Sequence, residues 1–277
     1  MHTRRFGRLD RSVPVLGIGT WNMERDDPKQ AIAAIRRALA LGMTHVDTAE
    51  LYGNGKVETL VGEALAGKRD EVFLVSKVLP RNATYDGTIE ACEASLRRLR
   101  TDHLDVYLLH WRGDLALDDT VRAFETLRGQ GKILAWGVSN FDDGDLDDLR
   151  PLGLPACNQV LYHLGDRTIE HRVIPWCERA GVAVVAYSPL GGTGGFPRAR
   201  ALDAIARRIG ATPRQVALAY LTRERPGGAV FAIPKSSSPA HVDELAAALD
   251  RARLDAQAIH ELEAAFPLAP WRGLPTL

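Results

Sequence analysis

Short apolar runs recur along this chain at intervals of about 30 residues, the length a strand, a crossover helix and the next strand require. Each run is followed by a stretch whose apolar positions repeat at helical spacing. Extended segments are read at Val15–Gly19, Thr44–Val46, Val72–Ser76, Leu104–Leu109, Ile133–Val138, Ala156–Val160, Val182–Tyr187 and Val230–Ile233. Between them, Pro28 opens a helix carrying Ile32, Ile35 and Leu39, and helices follow over Val57–Leu65, Thr88–Leu99, Asp118–Leu127, Asp142–Leu149 and Thr168–Arg179, the last despite Pro175. Two helices in succession, Arg198–Ile209 and Pro213–Thr222, break the simple alternation, before Pro239–Leu249 and Asp255–Phe266. Eight strands mostly followed by helices predict an α/β chain closed into a (β/α)₈ barrel, organised as one domain over 1–277. The opening RRFGRLDRSVPVLG reads as two short strands around a Leu9–Ser12 turn, a hairpin suited to closing the barrel bottom. The competing arrangement is an open doubly wound sheet. Against it, LGIGTWNM after the first strand lacks the third glycine of a dinucleotide fingerprint, and no polar linker divides the chain.

Charge narrows the partners. Thirty-five basic residues balance thirty-five acidic ones among 277, and the basic ones gather on no segment, so nothing argues for nucleic acid. Cys92, Cys157 and Cys177 are odd in number and widely spaced, which favours buried free thiols over zinc or a disulfide framework. No apolar stretch reaches the roughly 18 residues of a membrane span, and the charged N-terminus is followed by no signal-like core. The expectation is a cytoplasmic protein that does not engage membranes. No segment encodes an oligomeric state, and a monomer is the default.

Three strands deliver polar residues at their C-terminal ends: Asp47 after THV, Lys77 after VFLVS, and His110 after DVYLL. In a closed barrel those ends share one rim, and Tyr52 lies five residues beyond Asp47 on a Gly-rich loop that can fold back over it. Such a group suits proton donation to a carbonyl that accepts hydride. A tyrosine with a free pKa of about 10 is a weak acid, and a neighbouring ammonium stabilises the phenolate left behind. Tyr52 is read as proton donor, Lys77 as its modulator, Asp47 as the partner of Lys77, and a neutral His110 as the donor that orients the substrate. Taken singly, each residue also has a plain structural reading: a solvated strand-end charge, a rim-covering ring, or a half-buried histidine beside Trp111.

The chain resembles the aldo-keto reductase family over nearly its whole length. The resemblance rests on GMTHVDTAELYGNGKVETLVGEAL at 42–65, VFLVSK ending at Lys77, DVYLLHW at 105–111, GKILAWGVSNF at 131–141, NQV at 158–160, AYSPLG at 186–191 and AIPKSSSPAHVDEL at 232–245. It implies Asp47, Tyr52, Lys77 and His110 as a catalytic tetrad on a barrel that binds a nicotinamide cofactor. It also implies Gly19, Thr20, Trp21 and Asp47 beside the nicotinamide ribose, and Ser139, Asn140 and Gln159 on the carboxamide. Tyr187 would stack under the ring, with Ser188, Leu190 and Gly191 along the pyrophosphate. Ile233, Lys235, Ser236, His241 and Glu244 would surround the adenosine, Lys235 and Ser236 meeting its 2′-phosphate. Many members carry arginine where this chain has His241 and asparagine where it has Leu245. The resemblance thus implies NADPH with some use of NADH.

The loops after the strands are short, which implies an open pocket lined by Trp21, Tyr52, His110, Trp111 and, from the tail, Trp271. LLHWRGD and the Ile233-Pro234-Lys235 motif with His241 resemble a bacterial methylglyoxal-reductase-like branch, implying small aldehydes and α-dicarbonyls as the carbonyl substrates. Other readings are an alcohol or polyol dehydrogenase on the same site and, of another class, a cofactor-binding redox sensor with little turnover. A metal-dependent barrel is disfavoured, because His110 has no spaced His or Asp partner in its own strand, and no metal is expected.

Overall fold

Residues 1–225, 228 and 230–276 are described by a computed structural model of the chain. Strands β1 (Thr3–Arg5) and β2 (Ser12–Pro14) pair antiparallel. Then come β3 (Ile18–Gly19), α1 (Pro28–Ala40), β4 (His45–Asp47), α2 (Lys56–Ala64), β5 (Phe73–Val78), α3 (Tyr85–Leu99), β6 (Leu104–Leu109), α4 (Leu117–Gly129), β7 (Ile133–Ser139) and α5 (Asp143–Leu149). The second half adds β8 (Cys157–Leu161), α6 (Val173–Ala180), β9 (Ala183–Tyr187), α7 (Arg200–Ile209), α8 (Pro213–Leu221), β10 (Val230–Ala232), α9 (Pro239–Ala246), α10 (Ala248–Arg251) and α11 (Ala256–Ala265). Strands β3 to β10 pair in chain order and in parallel. The ring closes where Gly17 N donates to Ala232 O at 2.9 Å and Gly19 N to Pro234 O at 3.0 Å.

Strand parity decides what faces the barrel axis, because successive side chains point to opposite faces. On β5, Phe73 and Val75 face inward, so Lys77 must follow them; on β6, Val106 and Leu108 lead to His110. By the same count Ser139 follows Ala135, Gln159 follows Cys157, and Tyr187 follows Ala183 and Val185. The intervening residues, Leu74, Tyr107, Val160 and Val184 among them, belong to the apolar layer shared with the surrounding helices. The interior is therefore apolar below and polar at the upper rim.

The hairpin fills the lower end. Phe6 packs at 4.8 Å from both the Phe73 and Phe231 rings and edge-on to His45. Gly7, at φ 55°, lies so close to Ala156 and Ala183 backbone that a Cβ would sit 2.7 Å from the Ala156 carbonyl oxygen. Arg11 and Arg69 both bind the buried Asp105 carboxylate, tying the turn to β6. The three cysteines are buried free thiols, as composition suggested.

Most element bounds shift by one or two residues from the sequence reading, and four differences have identifiable reasons. The first strand is a two-residue ladder rather than Val15–Gly19, since the facing Pro234 has no N–H to donate. Helix α3 starts at Tyr85, three residues before Thr88, because the Thr84 hydroxyl caps it by accepting Gly87 N at 3.0 Å. Thr168–Arg179 is a 3₁₀ turn at Thr168–Glu170 followed by α6, whose start at Val173 places Pro175 in the first turn, where proline is tolerated. Pro239–Leu249 divides into α9 and α10 at Ala247.

Replacing Phe6 by Ala empties the centre of the lower plug. It is expected to cost about 3–5 kcal/mol of stability, measured by urea unfolding, whereas Leu134→Ala, at a position 51% exposed, shifts the midpoint little.

Candidate active site

The upper rim holds a cavity of about 190 Å³. On its floor β4 and β5, being adjacent strands, set Asp47 and Lys77 side by side, and both side chains are buried. Lys77 Nζ donates to Asp47 Oδ1 at 2.6 Å, to the Thr48 carbonyl at 2.8 Å and to the Tyr52 hydroxyl at 3.2 Å. An ammonium has three protons, and all three are placed. The second Asp47 oxygen accepts Gln159 Nε2 at 2.7 Å. Tyr52 is brought over this pair by a tight turn in which Gly53 and Asn54 take left-handed backbone angles, φ 56° and 53°. Its ring meets His110 edge-on at 5.9 Å, and His110 in turn meets Trp111 at 5.0 Å. The four residues read as a tetrad from sequence thus form one contiguous group.

Burial pushes the Tyr52 phenol above its ordinary pKa, with the Asp47 charge adding to the rise and Lys77 opposing it. The ammonium softens the rise without reversing it, so the resting side chain is a neutral phenol. Burial alone would depress Lys77, but Asp47 and Tyr52 hold it above its ordinary value, so it stays charged. His110 is driven well below the usual imidazole range, first by burial and then by Lys77, and is neutral. Its Nδ1 is buried without a hydrogen-bond partner among the described residues.

Beside the tetrad a second polar group spans β7, β8 and β9. Asn140, at φ 58°, donates from Nδ2 to the His110 carbonyl at 3.1 Å and to Ser139 Oγ at 3.2 Å, while its Oδ1 accepts the Tyr187 hydroxyl at 2.9 Å. The Thr20 hydroxyl donates to the Asp47 carbonyl at 2.8 Å, linking the first loop to the floor. Gly19 has no room for a side chain, since a Cβ would meet the Ile233 carbonyl oxygen at 2.6 Å. Trp21, Trp111, Ser188, Ile233 and Lys235 complete the walls with residues anticipated from sequence. Leu51 also lines the cavity and was not anticipated; an exposed leucine next to Tyr52 in a Gly-rich loop was its one signal.

Five anticipated cofactor residues lie outside this lining. Leu190 packs against the apolar core, Gly191 turns at φ 100°, and the Ser236 hydroxyl is engaged with Ser238 backbone. His241 is exposed on α9, and the Glu244 carboxylate accepts the Thr212 hydroxyl at 2.6 Å, at the cap of α8. Leu245, where many relatives place an asparagine, is turned into the apolar core. Trp271 does not reach the cavity; its ring lies under the Arg172 guanidinium. Among the described residues no three His, Cys, Asp or Glu side chains gather as a metal ion needs, and no helix is long and apolar enough to cross a membrane.

Comparison with known proteins agrees with this geometry. The model of the Aldo/keto reductase family matches residues 15–266. Methylglyoxal reductase YeaE of Escherichia coli K12 is 46% identical over 267 residues, covering 93% of each chain. Aldo-keto reductase family 1 member A1 of Rattus norvegicus is 32% identical over 84% of this chain and 80% of its own. The crystal structure of an aldo/keto reductase from Klebsiella pneumoniae in complex with NADP and acetate superimposes with a TM-score of 0.91 at 42% identity, covering 99% of both chains. With the tetrad geometry, the barrel and a family match running nearly from end to end, this chain belongs to the aldo/keto reductase family.

Proposed function

We propose that this chain reduces aldehydes and ketones to alcohols with NADPH, that small aldehydes and α-dicarbonyls such as methylglyoxal are its substrates, and that Tyr52 is the proton donor. The observation that carries the reading is the buried Lys77 ammonium, bonded at once to Asp47 at 2.6 Å and to the Tyr52 hydroxyl at 3.2 Å under an open cavity. Because Tyr52 oxygen accepts from Lys77, its own proton is left to point elsewhere, and the cavity is where a carbonyl oxygen can receive it.

The residues present fit a nicotinamide nucleotide. A carboxamide needs both donors and acceptors, and Ser139, Asn140 and Gln159 supply both from one wall. Tyr187, anchored through Asn140, offers a ring face; Gly19, Thr20 and Trp21 flank the ribose position; Ser188, Leu190 and Gly191 follow the pyrophosphate. Lys235 and Ser236 take the 2′-phosphate, with Ile233, His241 and Glu244 around the adenosine. Bound there, the reduced nicotinamide supplies the hydride for the substrate's carbonyl carbon. Tyr52 gives its proton to the carbonyl oxygen, and the phenolate that remains faces Lys77, which offsets its charge. His110, neutral and fixed by its neighbours, orients the carbonyl, and Trp21 and Trp111 wall the entrance with apolar surface. NADP in the Klebsiella relative supports the nucleotide, and the activity named for the Escherichia coli relative supports the dicarbonyl class.

The working unit is one barrel domain and a monomer; the single domain is supported by strands β3 to β10 pairing in chain order within one sheet. Its setting is the cytoplasm, which keeps thiols such as Cys92, Cys157 and Cys177 reduced.

A panel of aldehydes, ketones and α-dicarbonyls, followed by loss of reduced-nicotinamide absorbance, tests the activity. Tyr52→Phe is expected to lower kcat by about 10²–10⁴-fold with the NADPH Kd nearly unchanged; undiminished turnover would remove Tyr52 from the mechanism. Because the lowered pKa of His110 leaves it neutral through the neutral range, reduction should show no titration near about pH 6.5. A limb there that vanishes in His110→Gln would overturn the neutral assignment.

A further inference from the structure

Asp26 lies in the loop between β3 and α1, just before the Asp27 cap of α1, and reaches across the barrel seam to the loop after β10. Its Oδ2 accepts Lys235 Nζ at 2.5 Å and Ser237 Oγ at 2.5 Å. The side chains of Lys235 and Asp26 are only 33% and 34% exposed. Burial raises the Asp26 pKa, but these two partners more than offset it and hold the carboxyl below the ordinary carboxylate value. Lys235 also lines the cavity and bridges Gly19 where the barrel closes. The cationic end of the rim therefore already carries an anion of its own.

We propose that Asp26 is a specificity-setting residue: its carboxylate competes with a 2′-phosphate for Lys235 and thereby lowers the preference for NADPH over NADH. The inference rests on the cofactor reading above, which puts Lys235 at the 2′-phosphate. To dock on Lys235, a phosphate must draw the ammonium away from Asp26 and then tolerate a like charge next to it. A ribose with a free 2′-hydroxyl makes no such demand. It can leave the Asp26–Lys235 pair intact and hydrogen-bond to the carboxylate, the arrangement by which an acidic side chain accepts that hydroxyl in other NAD sites. His241, exposed and with no fork of donors, does not restore what the pairing with Asp26 takes from Lys235.

The test measures Kd for NADPH and NADH by quenching of intrinsic tryptophan fluorescence, and for 2′,5′-ADP and 5′-ADP by calorimetry, at one fixed salt concentration. Asp26→Asn and Asp26→Ala are both used, since the amide keeps an acceptor and the alanine removes it. The expected result is about a five- to tenfold tighter Kd for NADPH and 2′,5′-ADP in both variants, with NADH and 5′-ADP unchanged or weaker. An unchanged preference for NADPH over NADH, or a preference that weakens because NADPH binds less tightly, overturns the proposal; a weakening would make Asp26 a clasp over bound nucleotide instead of a competitor. Lys235→Met separates this from the reading beneath it. It should weaken 2′,5′-ADP and spare 5′-ADP, and if both bind as before, Lys235 is not the phosphate residue and the placement of the adenosine fails with the proposal.

Discussion

A charged lysine and a charged aspartate share the interior of this barrel, and the arrangement of the site follows from what each needs to remain there. Either ion alone would lose its charge or carry a heavy desolvation penalty. Together they are tolerable only if every remaining valence is met, and it is: Thr48 carbonyl and Tyr52 hydroxyl complete Lys77, and Gln159 occupies the free oxygen of Asp47. Apolar residues of equal volume would serve stability as well or better. What the pair contributes is orientation. It fixes the tyrosine oxygen as an acceptor and so decides where the tyrosine proton can go.

The same pair organises the neighbouring wall. Gln159 is committed to Asp47, Asn140 accepts Tyr187 and holds the backbone at His110, and Thr20 ties the first loop to the Asp47 carbonyl. A displacement of any one of these groups is felt by the others through bonds of 2.7 to 3.1 Å. The cavity is accordingly rigid on its floor and on the β7–β9 side, while its tryptophans stand at an open edge.

Much of this was legible before any coordinates. The alternation of strand and helix implied the barrel, and the strand-end positions of Asp47, Lys77 and His110 implied a shared rim, while Ser139, Gln159 and Tyr187 were named through the motif resemblance; in the structure the two-residue strand period sets them inward, after Ala135, Cys157 and Val185. What escaped was of two kinds. Local bounds moved where one side chain outweighed the pattern, as with the Thr84 cap and Pro175 in a first turn. Contacts between distant segments have no local signature. Asp26 and Lys235 are 209 positions apart, and nothing local to Leu245, where many relatives carry asparagine, says that it packs inward.

Pro234 has a consequence for how the molecule moves. Where it faces β3 the ladder lapses into isolated bridges, and the loops bearing Trp21 and Asp26 on one side and Lys235 on the other hang from that interrupted join. Parting the two loops breaks the Asp26 contacts and little of the sheet, so the rim can yield there while the ion pair on the floor stays shut. At that seam side chains, the Asp26 carboxylate with Lys235 and Ser237, share the work of closure that strand pairing does alone elsewhere in the ring.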